Sequence, residues 1–236
     1  MIPQLPDDPD GPFPPVGGAL NGPEGLLAWG GDLHPRRLLQ AYRLGIFPWY
    51  SPGQPLLWWW PQPRTVIFPS EFHISRRLRR TLRQGRFTVT ADTDFEGVIK
   101  GCARPENTPE ETWIDTAMIR AYCEMHVLGH AHSVEAWQDG LLAGGIYGIS
   151  LGKVFFGESM FSCRRDASKV VLAHLCQGLA AAGFALLDCQ LPNDHLYQFG
   201  ARDLPGDEFA NVLRSGIQHD NPISDWTRVF SEPVQW

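Results

Sequence analysis

Lysine is nearly missing from this chain of 236 residues, where three lysines stand against seventeen arginines. Its positive charge is therefore carried by planar guanidinium forks, which grip phosphate bidentately where an ammonium offers only a point charge. Long apolar runs are missing too. None approaches the ~20 residues of a membrane helix, and the opening "MIPQLPDDPDGPFPP" has neither the basic start nor the apolar stretch of a signal peptide, so a cytoplasmic, membrane-free protein is expected. The five cysteines are scattered, odd in number and form no CxxC pair. That excludes a disulfide framework and a thiolate zinc site, and they read as reduced thiols, mostly buried. No internal repeat or coiled coil demands an oligomer, and a monomer is expected. What is present is 43% apolar residues, enough for a real core in one large domain or two unequal ones.

The formal net charge of −6 argues against generic nucleic-acid binding, but a local patch can outweigh the total. In "SRRLRRTLRQGR", Arg76, Arg77, Arg79, Arg80, Arg83 and Arg86 fall within eleven residues. Ile74, Leu78 and Leu82 recur every four residues, so a helix turns that stripe inward and sets Arg76, Arg79, Arg80 and Arg83 outward. A solvated face and a phosphate-binding face both fit, and the preference for arginine favours phosphate.

The first sixty or so residues are rich in proline, glycine and tryptophan and read as a small irregular domain, residues 1–63. One helix is predicted there, from Asp32 as N-cap to a stop at Gly45. Trp49, Trp58, Trp59 and Trp60 follow among prolines that forbid a long helix or central strand. They either seal an interface or form a stacking platform. Residues 64–236 are regular. After the basic helix come the strand "RFTVTAD", the short helix "DFEGVIKGCA", the polar loop "RPENTPEET", and a helix capped by Asp115 or Thr116 and ended by Gly129. Three strands, "HSVEAWQ", "LLAGGIYGIS" and "KVFFGESMF", are linked by Asp139-Gly140 and Leu151-Gly152 as an antiparallel meander. The helix "ASKVVLAHLCQGLAAAG" and the strand "FALLDCQ" then imply a right-handed crossover to a parallel neighbour. The expected fold is α+β with a mixed, mainly antiparallel sheet.

"LLDCQLPNDH" opens apolar and ends in groups that are costly to bury unpaired. Strand parity puts Asp188 and Gln190 side by side and Cys189 opposite, and puts Phe156, Glu158 and Met160 on one face of their own strand, beside a Gly157 that leaves room for a ligand. If both faces turn the same way, two carboxylates and an amide converge. The alternative is an internally satisfied network in which Asp188 holds Asn193 or His195. His126, His130 and His132 include an HxxxH spacing, but Gly129 breaks the helix and no third ligand stands out, so no metal is expected. Ser159 lacks the second glycine of a nucleophile elbow.

Taken in order, "GGDL", "GIFPWYSPGQPLLWWWPQPR", "HISRRLRR", "GESMFS" and "LLDCQLPNDH" closely resemble the bacterial leucyl/phenylalanyl-tRNA–protein transferases, over nearly the whole chain. The resemblance implies an enzyme that moves leucine or phenylalanine, and less readily methionine, from Leu-tRNA or Phe-tRNA to proteins with N-terminal arginine or lysine, creating a degradation signal. It implies a small N-terminal domain and an acetyltransferase-like (GNAT-like) catalytic domain without coenzyme A or any other cofactor. By the family pattern Asp188 and Gln190 match the catalytic pair, and Glu158 and Trp113 match acceptor-binding positions. The aminoacyl side-chain pocket maps onto Ile146, Met160, Leu172, Leu175, Leu179 and Leu187. Trp49 matches a tryptophan near the 3′-adenosine, and Arg76, Arg77, Arg79, Arg80 and Arg83 are the expected tRNA contacts.

An aminoacyl ester is already activated, so the enzyme need only orient it toward a neutral α-amine. Gln190 accepts a hydrogen bond from the amine, and Asp188 is expected to polarise that amide and balance the forming charge. An acetyl-CoA-dependent acetyltransferase and a non-catalytic tRNA-binding module are the competing readings. Against the first, the segment where acetyltransferases carry a glycine-rich pyrophosphate loop reads "SCRRDASK" here.

Overall fold

A computed structural model describes residues 2–19, 25–51, 53–103, 113–230, 234 and 236. The polar loop over 104–112 lies outside them. The first part forms a four-stranded sheet from β1 (Gln4–Leu5), β2 (Leu26–Gly30), β3 (Phe47–Pro48) and β4 (Leu57–Trp59), in the order β1-β2-β4-β3. Its helix α1 (Pro35–Arg43) is capped by His34, whose Nδ1 accepts the Arg36 N–H at 3.2 Å. Asp32, the expected cap, instead accepts the His34 N–H at 2.8 Å and pairs with Arg37. Proline at the first helical position places the helix start two residues on, because its fixed φ is ready for the helix and the N–H it lacks would have no partner there. The chain turns out of α1 at Gly45, with φ +76, where an added Cβ would lie 2.7 Å from the Phe209 ring.

The tryptophan run is core. Trp58, Trp59 and Trp60 are buried, and each indole N–H donates to a main-chain carbonyl, those of Gly30, Trp49 and Leu44. A buried indole needs such a partner. Trp49 is half-buried, tilted against Trp59 at 5.6 Å.

The second sheet has seven strands. β5 (Arg64–Ile67) precedes α2 (Arg76–Arg83), β6 (Thr88–Ala91), α3 (Phe95–Cys102) and α4 (Thr116–Val127). The meander β7 (Ala131–Gln138), β8 (Leu141–Leu151) and β9 (Val154–Ser162) leads through α5 (Ala167–Ala181) to β10 (Leu186–Gln190), then α6 (Asp194–Tyr197), β11 (Arg202–Leu204) and α7 (Gly206–Ile217). The order is β11-β5-β10-β9-β8-β7-β6, with β10 parallel to β9 and every other pair antiparallel. This is the expected α+β, acetyltransferase-like architecture. The first hairpin turns at Asp139-Gly140, both in the left-handed region. The second turns at Gly152-Lys153, one residue later than expected, because Leu151 still pairs with Val154. Strand β10 is also no edge: β5, which carries no alternating pattern of its own, pairs along its other side.

Two apolar clusters flank the large sheet. One joins α3, α4, Phe156 and Leu186 to the tryptophans of the first part, and the other joins α5 to Leu78 and Leu82 of α2. Burying those two leucines contributes about 2 kcal/mol each. It also fixes α2 so that Arg76, Arg79, Arg80 and Arg83 face outward, as the four-residue spacing predicts, and Arg77 is exposed with them.

Candidate functional site

Strand parity fails on both strands that matter. In the β8–β9 ladder Tyr147 pairs with Ser159 and Gly148 with Gly157, so Glu158 is the extra residue of a bulge. The partner strand allows this because position 148 is glycine; a Cβ there would lie 2.1 Å from the Phe156 carbonyl oxygen. The bulge separates residues that strict alternation places together. Phe156 packs in the α4-side cluster, whereas Met160 packs in the α5-side cluster.

The second irregularity ends β10. Gln190 has φ +66, and the Leu191 N–H donates to the Cys189 carbonyl at 2.8 Å, closing a γ-turn around Gln190. That conformation costs a non-glycine residue on the order of 1–3 kcal/mol. Asp188 helps hold it, since its Oδ1 accepts the Gln190 backbone N–H at 2.9 Å. The turn swings Gln190 away from the Asp188 face. Its side-chain Nε2 donates to Glu158 Oε1 at 3.0 Å, so Glu158 polarises the amide. The expectation that Asp188 would do so is corrected.

Asp188 is committed elsewhere. It is fully buried and held bidentately by Arg64, Nε to Oδ1 at 2.8 Å and Nη2 to Oδ2 at 2.7 Å. Arg64 also donates to the Gly45 carbonyl at 2.9 Å and lies over the rings of Phe47 and Phe209. Neither Asn193 nor His195 is the partner of Asp188; Asn193 accepts the His195 N–H.

Glu158 is nearly buried, and burial pushes its carboxyl up to about 7. Hydrogen bonds from Tyr42 and Tyr122 oppose that rise, the Asp188 charge adds to it and the Arg64 charge reduces it. Tyr122 donates to Glu158 Oε2 at 3.0 Å, and the Tyr42 and Tyr122 hydroxyls share a short hydrogen bond. Burial above all, then the Glu158 charge, raises both phenols well above their ordinary value, so they remain donors.

A cavity of about 300 Å³ opens on the Leu187–Cys189 face of β10. Ile146, Met160, Leu172 and Leu187 form its apolar wall, and Glu158 and Gln190 stand at its polar end with Gly157, Ser159, Cys189, Asn193 and Leu196. A Cβ on Gly157 would meet the Asp188 carbonyl and Leu187 only at 3.5 Å, ordinary contact, so the missing side chain leaves cavity rather than relieving a clash. Cys189 lines the cavity from the face opposite Asp188, as parity has it, and it is Gln190 that the turn brings over to this side; burial pushes the Cys189 thiol far up, so it acts as an apolar wall. Leu175 and Leu179 lie deeper, in the α5-side core. Trp49 and Trp113 are half-buried against the other cluster, outside the cavity lining.

His126 and His132 do meet, with Asp92 as the third group, their ligand atoms within 4.8 Å of one another. His130 is not part of it. Each inward atom is engaged: Asp92 accepts from His132 at 2.7 Å and from the Ser133 N–H at 2.9 Å, and His126 Nδ1 bonds the Ala131 carbonyl at 2.8 Å. These bonds tie the three side chains to one another and to the main chain, while His132 Nε2 is buried without a hydrogen-bond partner among the described residues. The residues that sequence reasoning missed are Arg64, Tyr42, Tyr122 and the wall role of Cys189. Only Arg64 left a trace, as the last residue of the "WPQPR" motif.

A family model described as leucyl/phenylalanyl-tRNA protein transferase matches residues 66–214, and one for the N-terminal domain of that family matches residues 31–62. The chain is 54% identical to the leucyl/phenylalanyl-tRNA–protein transferase of Pseudomonas syringae pv. syringae (strain B728a) over 91% of this chain and 93% of that one. It is 56% identical to the protein of the same name from Azotobacter vinelandii (strain DJ / ATCC BAA-1303), covering 91% and 94%. Among solved structures, L-PGS from Bacillus licheniformis aligns with a TM-score of 0.40 at 9% identity, over 71% of this chain and 53% of that one. That overlap is too slight to assign a shared site.

Proposed function

The chain belongs to the leucyl/phenylalanyl-tRNA–protein transferase family, and from that membership we propose which of its residues hold the donor, the acceptor and the attacking amine. The enzyme transfers leucine or phenylalanine, and less readily methionine, from aminoacyl-tRNA to the N-terminal arginine or lysine of an acceptor protein. The product N-terminus is a degradation signal.

The observation that carries the assignment is the Gln190–Glu158 hydrogen bond at the polar end of an apolar cavity. Donation from Nε2 to Glu158 fixes the amide's orientation, and its oxygen accepts no hydrogen bond from any described residue. That oxygen receives an N–H of the acceptor's α-amine and points the nitrogen lone pair at the ester carbonyl carbon. The C–N bond forms, the bond to the ribose oxygen breaks, and one amine proton ends on that oxygen. An amide is an acceptor without being a base, so Gln190 aligns the amine and takes no proton. Asp188 acts one step back: it holds the γ-turn that delivers Gln190, and Arg64 holds Asp188.

Ile146, Met160, Leu172 and Leu187 take the leucyl or phenylalanyl side chain, with Leu175 and Leu179 supporting them from behind. Glu158, with Trp113, holds the cationic acceptor, because a partly desolvated carboxylate binds a guanidinium or ammonium strongly. Trp49 packs by the 3′-adenosine, and the outward arginines of α2 contact tRNA phosphates. The donor ester is already activated, so no cofactor is required. Residues 1–63 and 64–236 are assigned as two domains, on the break between the two sheets after Trp59. Among the described residues no helix is long and apolar enough to cross a membrane, and the cytoplasm is the proposed location.

Labelled Leu-tRNA offered with peptides beginning Arg, Lys or Ala, beside labelled acetyl-CoA, tests the reading. Transfer from Leu-tRNA to the Arg and Lys peptides alone is expected; acetyl transfer alone would overturn it.

A further inference from the structure

The connection between β9 and α5, residues 163–166, has no part in the site above, yet it carries two adjacent exposed arginines, Arg164 and Arg165. Asp166, left-handed with φ +69, bends this connection into the start of α5. Across from it stands one flank of α2. The groove between them, about 440 Å³, is lined by Arg77, Arg80, Arg86, Arg164 and Arg165, with Asp166 as the one carboxylate. That carboxylate is already matched, by Lys169 Nζ at 2.9 Å and Arg165 Nε at 3.8 Å. Among the described residues no ion pair within 4.0 Å engages Arg77, Arg80, Arg86 or Arg164.

Like charges gathered without counterions cost self-repulsion, and on a chain of net charge −6 they gain nothing in solubility. An anionic ligand removes that cost. Arg80 also lines the concavity on the other flank of α2, with Arg76, Arg79 and Arg83. The helix is thus a ridge with guanidinium groups on both sides. The groove also lies close to the aminoacyl pocket: Asp166 lines one and Leu172 the other, six residues or about 9 Å apart along α5.

We propose that this groove binds the sugar–phosphate backbone of the donor tRNA close to its aminoacylated end, as a second phosphate track beside the outer face of α2. The inference rests on the transfer reading and deepens it. Five planar forks suit phosphate oxygens. Phe87 is the single aromatic residue of the lining, and a lone ring stacks on any base alike. The binding is therefore independent of tRNA sequence. It also puts arginines where acetyltransferases hold a pyrophosphate.

The test replaces both exposed arginines, Arg164→Gln with Arg165→Gln, in the full chain and measures Leu-tRNA binding across a salt series. The dissociation constant at low salt should rise about tenfold, and the slope of log K against log salt should fall by about two, one for each phosphate that is no longer neutralised. KM for Leu-tRNA should follow while kcat at saturating donor holds. The double Arg→Lys variant should keep the salt slope and recover only part of the affinity, since it keeps charge and loses the fork. Unchanged affinity and slope in the Gln variant overturn the proposal. So does equal weakening of a stemless donor, leucine esterified to adenosine. Wild-type protein that binds tRNA with the arginine-dependent salt slope, but transfers nothing to an Arg-peptide, would instead sink the transfer reading and leave the groove standing.

Discussion

Arg64 and Asp188 lie 124 residues apart in the chain and meet in a buried bidentate pair, both contacts within 2.8 Å. Arg64 comes from the first strand after the tryptophan run and Asp188 from the strand that carries Gln190, so the pair ties the small sheet's side of the molecule to the reacting amide. Removing one member of such a pair leaves an uncompensated buried charge. Asp188→Asn and Arg64→Met should each lower the unfolding free energy by about 3–5 kcal/mol, and the double variant Arg64→Met with Asp188→Leu by clearly less than the sum. Urea denaturation reads all three. In single-turnover transfer from pre-bound Leu-tRNA, Asp188→Asn that still folds should be slow with near-normal tRNA affinity; the wild-type rate would show that the aspartate does not hold Gln190 in place.

Gln190 separates backbone strain from chemistry. Its left-handed turn is inexpensive only for glycine, so Gln190→Gly should be more stable than Gln190→Ala by roughly 1–2 kcal/mol. Both lack the amide, and both should lose on the order of a hundredfold to a thousandfold in kcat. A glycine variant as active as wild type would remove the amide from the mechanism.

The Glu158 carboxyl titrates near 7 because it is buried. Acceptor binding needs the ionised form, so KM for an Arg-peptide should rise as pH falls from 8 to 6, and Glu158→Gln should have a high KM that is flat in pH. Stability runs the other way. A folded pKa raised from 4.5 to about 7 means that the native state binds the extra proton, so this residue's contribution is full below about 4.5 and is lost as pH rises through 7. The difference is about 3 kcal/mol by order of magnitude. Thermal melts should therefore show Glu158→Gln gaining on wild type at pH 8 and not at pH 4.5.

The apolar wall should sort donors by size, since each buried methylene contributes about 0.8 kcal/mol. Leu-tRNA and Phe-tRNA should outperform Val-tRNA in kcat/KM. Met160→Ala should weaken leucine transfer more than phenylalanine transfer, because the widened cavity still suits a ring. Equal losses for both donors would make Met160 ordinary core.

On the outer face of α2, Arg76→Ala with Arg80→Ala should raise KM for aminoacyl-tRNA and flatten its salt dependence by about one unit of slope per phosphate, with kcat at saturating donor little changed. An unaltered slope would return these arginines to the solvent.

Much of this was legible from local pattern alone. The meander, the crossover helix and the parallel pairing of its strand follow from apolar runs of known period, from glycine turns and from the handedness of crossovers, all properties of neighbouring residues. The inward leucines and outward arginines of α2 follow from helical spacing. The residues of the reacting end, Glu158 and Gln190, were named from motifs. Parity allowed them to converge, but how they meet was not derivable, because alternation holds only where a ladder is regular. A bulge at Glu158 and a γ-turn at Gln190 break it on adjacent strands, and the two breaks together turn a carboxylate and an amide toward each other. Parity therefore misplaced Gln190, which shares the cavity with Cys189 rather than the face of Asp188, and misassigned the partner of its amide. Nor does a buried arginine differ in sequence from an exposed one: Arg64 is recognisable only once β5 lies against β10, a pairing made by contacts across more than a hundred residues. Sequence by itself determined the elements and their faces, through short-range sterics and burial; tertiary structure decided which charges are spent on one another and which remain free for substrate, because desolvation and ion pairing depend on neighbours distant along the chain.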